Sequence, residues 1–325
     1  MGVALCSGGA RGFANIGVLE ELQKHGLKPD YIAGTSMGAI VGAAYCSGMP
    51  IEDIKEFAIS CKWRDTLKFT LPKYGLIESE SIINYMRKEM KFGSFRRYQI
   101  PFRAIATNLD TGKGVVLESG DSAKAVYASI AIPGIFTPLK YKKMTLVDGG
   151  LVSPLPTMET RDMGADIVVG IDLSMHQEDI SNKNSRLFGF SKDSEFMNNM
   201  KEKFKESQKE LLKYYILETR KSIPAFAKST IERFIDRFYD PHKIIQKINR
   251  REQFEVFNIL SKTVYIMTNQ LIFEKVNNKH HDILVKPGLK GVGILNADHI
   301  EGIIAEGRKT TAKKIPQLKK LLQTA

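Results

Sequence analysis

Two short apolar runs, each broken by a glycine-bearing turn and each followed by apolar residues at helical spacing, constrain this chain more than any other feature. Val3 to Leu5 runs into Ser7-Gly8-Gly9-Ala10-Arg11-Gly12, after which Ile16, Val18, Leu19 and Leu22 recur on one helical face. Tyr31-Ile32-Ala33 runs into Gly34-Thr35-Ser36-Met37-Gly38, followed by small apolar residues from Ala39 to Tyr45. Further strands are expected at 102–107, 114–117, 146–147, 167–172 and 282–285, with helices between most of them. Alternation of this kind predicts an α/β fold, a three-layer α/β/α arrangement whose mainly parallel sheet is covered by helices on both faces.

The pattern changes after Met175. From there to Arg250 strands disappear, and Met197, Met200, Phe204, Leu211 and Tyr215, then Ile231, Phe234, Ile235 and Phe238, take helical spacing among many charges. Three segments are therefore expected: a core at 1–175, a basic amphipathic helical insertion at 176–250, and a helix, strand and helix at 251–325 that complete the core. The chain of 325 residues, 43% of them hydrophobic, has material for such a core.

Lys and Arg number 48 against 36 Asp and Glu, a net charge of +12, which favours anionic partners. An anionic membrane surface and nucleic acid both satisfy that charge. Cys6, Cys46 and Cys61 form no C-x-x-C pair and read as reduced core thiols. The first strand begins at once and leaves no room for a secretory leader, and no apolar run approaches a membrane span. A cytoplasmic protein follows, one that meets the inner face of a membrane peripherally if it meets one at all.

Gly34-Thr35-Ser36-Met37-Gly38 fits G-x-S-x-G with a strand before it and a helix after it, the setting in which a sharp turn presents a serine hydroxyl to a substrate carbonyl. The plain alternative makes Gly34 and Gly38 packing residues and Ser36 a helix cap. The run Gly8, Gly9, Ala10, Arg11 and Gly12 offers backbone N–H groups to a negative oxygen. It lacks both the Lys-Ser/Thr ending of a phosphate loop and the spacing of a dinucleotide fold, and as an oxyanion hole each donor is worth ~3 kcal/mol. Arg11 either orients an acidic head group or braces the loop. Asp148, with Gly149 and Gly150, follows a short strand, so its carboxylate is expected at the sheet edge that carries Ser36. It can take the serine proton directly. The plain alternative is a turn-forming Asp-Gly.

Most serine esterases place an imidazole between serine and acid. His25, His242, His280, His281 and His299 fall in helix tails, polar turns or the insertion, which leaves His176, after a strand, as the one histidine expected within reach. No metal or cofactor is implied by spacing.

These blocks, in this order, resemble the patatin-like phospholipases, notably their compact bacterial members. Gly8-Gly9-Ala10-Arg11-Gly12 is similar to the family's oxyanion block, Gly34-Thr35-Ser36-Met37-Gly38 to its nucleophile elbow, and Asp148-Gly149-Gly150 to its acid motif. Residues 106–112 and 128–136 resemble two further signatures. The resemblance spans roughly residues 2–175 and implies a Ser36–Asp148 dyad without histidine or metal, acting on acyl esters of phospholipids, lysophospholipids or neutral lipids. Cys6-Ser7 departs from the family's opening of the glycine block, and the basic insertion departs from its compact members. The reading is a serine lipid acyl hydrolase with a lipid acyl ester as substrate and no nucleic-acid partner. The insertion is expected to be a packing layer, a homodimer contact or a lipid-facing cap. The alternatives are a catalytically silent lipid-binding or regulatory module on the same fold, and a nucleotide-binding protein.

Overall fold

The computed structural model describes residues 1–60, 77–175, 250–293 and 299–324. The expected insertion, with His176 and His242, and Cys61 lie outside the described residues apart from Arg250. Eight strands form one mixed sheet. Its parallel part sets β8 (Ile283–Val285), β7 (Val168–Ile171), β1 (Gly2–Leu5), β2 (Tyr31–Thr35) and β3 (Phe102–Asn108) side by side. β4 (Gly114–Leu117) and β6 (Met144–Asp148) run antiparallel to β3, and β5 (Leu139–Tyr141) is antiparallel to β6. The sequence pattern omits β5, whose three residues carry too little periodicity to register.

The helices explain themselves locally. α1 (Ala14–Lys24) stops at His25 and Gly26, where a φ of 71° and a Leu27 N–H to Leu22 carbonyl bond of 2.9 Å close the helix end. α2 (Met37–Cys46) is apolar almost all round and buried, as a helix pressed between sheet and other helices must be. α5 (Ser122–Ile130) starts on Asp121, whose carboxylate accepts from the Ala123 and Lys124 N–H groups. α3 (Ile51–Ser60) and α4 (Ser79–Glu89) lie between α2 and β3 in sequence. α6 (Thr157–Arg161) precedes β7, α7 (Arg250–Asn277) precedes β8, and α8 (Ile300–Ala312) and α9 (Ile315–Thr324) end the chain.

Both faces of the sheet are covered. In α2, Gly42 rests on Leu5, Ile32 and Phe102, whereas Gly2, of opposite parity along β1, faces Thr160 and Ala165 beside α6. All four residues of β1 are accordingly buried.

The strand register holds the point on which the site depends. Ala104 and Ile105 pair with both β2 and β4, so these occupy opposite edges of β3; Ala106 and Thr107 pair with both β4 and β6. β6 therefore shares the edge of β3 used by β2. β2 climbs that edge as far as Thr35, opposite Ile105, and β6 descends it as far as Asp148, opposite Ala106. The two strands meet end to end. Asp148 thus reaches Ser36 from an antiparallel strand, which corrects the expectation that both project from one edge of parallel strands.

The C-terminal segment braces the first helix. A Cβ on Gly17 would stand 1.9 Å from the Ile304 carbonyl oxygen, and one on Gly307 would stand 2.2 Å from that of Ala14, so α1 and α8 touch backbone to backbone. We expect Gly17→Ala to destabilise the fold by about 1–3 kcal/mol despite alanine's better helix propensity, because backbone must move on both sides. Urea denaturation followed by circular dichroism measures it, and an unchanged midpoint would contradict the contact.

Candidate active site

Ser36 joins β2 to α2 at φ 56° and ψ −124°, a conformation costly for a residue with a side chain. The glycines around it exist for close approach. A Cβ on Gly34 would lie 2.4 Å from the Gly38 carbonyl oxygen, and one on Gly38 would lie 2.3 Å from that of Leu5. Only bare backbone lets the helix start this close to the strands. The strained serine is held by Ser129, whose Oγ accepts from the Ser36 N–H at 2.9 Å and donates to the Ile105 carbonyl at 2.5 Å. Thr35 Oγ1 donates to the Ser153 carbonyl at 2.7 Å from the next position.

Ser36 does not cap its helix. Its hydroxyl instead donates to Asp148 Oδ2 at 2.7 Å, with both residues more than nine-tenths buried. The other carboxylate oxygen, Oδ1, accepts the Gly150 N–H at 2.7 Å. Asp148 therefore does what a turn-forming Asp-Gly does and still presents one oxygen to the serine. Thr107 Oγ1 donates to the Asp148 carbonyl at 2.8 Å and fixes the strand end. Burial pushes the Asp148 carboxyl up from 3.8 to about 6, and the bonds from Gly150 and Ser36 pull part of that back.

The glycine loop turns into a 3-10 helix, Gly9–Phe13, packed against the first residue of α2, since a Cβ on Gly12 would lie 2.5 Å from Met37 side-chain atoms. The five residues of the loop divide. The Arg11 N–H is already bound to the Gly8 carbonyl at 3.1 Å, and Gly12 sits inside the 3-10 turn. The N–H groups of Gly8, Gly9 and Ala10 have no acceptor among the described residues. Those three are the loop's open backbone donors. The Arg11 side chain is 1% exposed and donates to the carbonyls of Leu173, Leu289, Val292 and Ser174 at 2.7–3.1 Å. It braces the loop against the segments after β7 and β8, which removes the alternative of an arginine free to orient a head group.

Among the described histidines none bonds to Ser36 or Asp148; His25, for one, pairs with Glu21 at 3.0 Å. Cys6 and Cys46 are free buried thiols, and burial pushes Cys6 up to about 12, far from a nucleophile's range. No group of three or more metal-ligating side chains is present among the described residues. Sequence reasoning placed Thr107 and Ser129 within the two further signatures without giving either a role and passed over Thr268, although a polar side chain inside an otherwise apolar block was the available signal.

Residues 3–161 match the model of the Patatin-like phospholipase family. That region of the chain belongs to this family. An uncharacterized NTE family protein of Mycobacterium bovis is 35% identical over 175 residues, which is 53% of this chain and 48% of the relative. Lysophospholipase NTE1 of Debaryomyces hansenii is 32% identical over 197 residues, 58% of this chain and 13% of that protein. The chain spans about half or less of the length of these curated relatives. The solved structure of VipD from Legionella pneumophila overlays with a TM-score of 0.36 and 16% identity, over 55% of this chain and 53% of VipD, too loosely to bear on the argument. The patatin-like region holds Ser36, Asp148 and the glycine loop, while β7, β8 and α7 follow it.

A carboxyl whose folded value lies above its unfolded one burdens the fold as it ionises. Below pH 3.8 Asp148 is neutral in both states; between 3.8 and about 6 only the unfolded chain ionises, so stability falls; above that the full burden of about 3 kcal/mol remains. Asp148→Asn keeps the acceptor for Gly150 without the charge. We expect it to raise the melting temperature by several degrees at pH 7.5 and to give no advantage at pH 4. A variant less stable than wild type at both values would contradict the buried charge.

Proposed function

We propose that the chain hydrolyses acyl esters of lipids through an acyl-Ser36 intermediate, with Asp148 as the base. The family and the similarity to lysophospholipases support a lipid hydrolase. The observation that carries the finer reading is the 2.7 Å hydrogen bond from Ser36 to Asp148 Oδ2 in a buried site, made by a serine held at positive φ.

The chemistry follows from that geometry. Ser36 Oγ attacks the ester carbonyl carbon while Asp148 Oδ2 takes its proton. The carbonyl oxygen becomes an oxyanion, for which the N–H groups of Gly8, Gly9 and Ala10 are the available donors. On collapse the ester bond breaks and protonated Asp148 gives its proton to the leaving alcohol oxygen. Water then attacks the acyl-serine, passing a proton to Asp148, and the proton returns to Ser36 Oγ as the fatty acid leaves.

The base must be ionised, and its carboxyl stands at about 6. We expect kcat/KM on a short p-nitrophenyl ester to fall below pH 6 along a single acid limb. Ser36→Ala, Asp148→Asn and the double variant should each lose at least about 1000-fold in kcat, and the double should resemble either single one because the two groups act as a unit. Near-wild-type turnover by folded Asp148→Asn would sink the dyad.

No helix among the described residues is long and apolar enough to cross a membrane. An excess of 12 positive charges makes an anionic lipid surface the fitting place to find a water-insoluble ester. Sedimentation with vesicles should rise with phosphatidylserine content and weaken with salt. Equal binding to neutral and anionic vesicles would remove the electrostatic part of this reading.

A further inference from the structure

The patatin-like match ends at Arg161, yet one side chain that touches the acid turn comes from well beyond it. Thr268, on α7, is 7% exposed and donates from Oγ1 to the Gly150 carbonyl at 3.1 Å. A helical threonine ordinarily turns its hydroxyl back to the carbonyl four residues earlier, as Thr263 does to Ile259 at 2.9 Å on the same helix. Thr268 forgoes that bond for one that spans 118 residues. Its neighbour Asn269 is 1% exposed and closes a pair of bonds on Met175, accepting from the N–H at 2.8 Å and donating to the carbonyl at 3.4 Å. α7 is thereby fixed to the core at the spot where Thr268 meets Gly150.

Gly150 is the residue whose N–H holds Asp148 Oδ1 at 2.7 Å. Its α-carbon is enclosed by oxygens. A Cβ there would stand 3.0 Å from Asp148 Oδ1 and 3.6 Å from both Ser7 Oγ and Thr268 Oγ1. Ser7 Oγ makes no protein hydrogen bond of good geometry among the described residues, although Cys6 beside it feels the hydroxyl electrostatically. The side-chain hydrogen bond to Gly150 therefore comes from Thr268.

We propose that Thr268 is a positioning residue for the acid turn, holding Gly150 so that its N–H stays on Asp148 Oδ1 and leaves Oδ2 aimed at Ser36. The proposal rests on the acyl-ester hydrolase reading above. Without the Thr268 bond the turn loosens, the Gly150 N–H serves the carboxylate less well, and Asp148 ionises less readily. The influences on its acidity are burial and the bonds from Gly150 and Ser36, none of them a charge, so the Gly150 bond is the one that α7 can change.

The test uses the full chain with a short p-nitrophenyl ester and compares Thr268→Val, which keeps the shape and loses the donor, with Thr268→Ser, which keeps the donor. For Thr268→Val we expect kcat to fall roughly 10-fold with KM within about twofold, and the acid limb of kcat/KM to move to higher pH. Thr268→Ser should stay close to wild type in all three. Wild-type kcat and an unmoved limb in Thr268→Val would overturn the proposal. So would equal losses in both variants, or a loss that follows a drop in melting temperature with no movement of the limb, since these mark packing alone. If wild type itself hydrolyses no ester, or Ser36→Ala keeps full activity, the failure belongs to the hydrolase reading instead.

Discussion

The site depends on a hydrogen bond between two side chains that neither sequence proximity nor a shared strand brings together. Ser36 follows the last residue of one strand, Asp148 closes another that runs the opposite way, and both strands end against the same edge of β3. Hydrogen bonding in a sheet fixes each strand's height to within a residue, so the register itself sets the distance between hydroxyl and carboxylate. A slip of one residue in β6 would turn the carboxylate to the other face. The surrounding bonds guard against that slip: Thr107 ties the Asp148 carbonyl, Ser129 ties the Ser36 N–H and Ile105 together, and the Asp148 N–H is tied to Ala131 at 3.0 Å.

The same geometry explains the distribution of small residues. Gly34 and Gly38 let α2 begin where a side chain on the first would collide with the helix's own first turn and one on the second with the Leu5 carbonyl, and Ser36 accepts positive φ so that its hydroxyl leaves the helix axis. The loop before α1 meets the start of α2 by way of Gly12 and is locked from behind by Arg11. A fully buried guanidinium would burden the fold unless each of its faces found an acceptor, and four carbonyls from two segments supply them. The loop is thereby held rigid between the start of α2 and the segments after β7 and β8.

Much of this was legible in the residues. The strand, turn and helix repeats gave the fold class, because a buried parallel strand reads as a short apolar run and its turns demand glycine. G-x-S-x-G and Asp-Gly-Gly were visible as local patterns, since each motif carries its own conformational need. Three things were not. The antiparallel course of β6 depends on pairing with β3, which periodicity does not encode. The division of the glycine loop into free and occupied N–H groups depends on where the 3-10 turn begins. Thr268 acts across a separation in sequence that no local pattern spans, and in a single chain it reads as an ordinary helical threonine.

Burial links the chemistry to the stability of the fold. An exposed carboxylate is a weak base at neutral pH and would take a serine proton poorly. Enclosed where the ends of β2 and β6 meet, Asp148 stands at about 6, close to the roughly 6.5 of a free imidazole. Desolvation thus lifts this aspartate toward the range of an imidazole, while the bonds from Gly150 and Ser36 draw part of that shift back. The two effects oppose each other by design of position: deeper burial without Gly150 would leave the acid protonated, and more hydrogen bonds with less burial would leave it too weak a base. The turn after Asp148 stays bare because a Cβ on Gly149 would stand 2.1 Å from the Ile105 carbonyl oxygen and one on Gly150 would stand 3.0 Å from Asp148 Oδ1, and the Gly150 carbonyl is bound from outside that turn by Thr268.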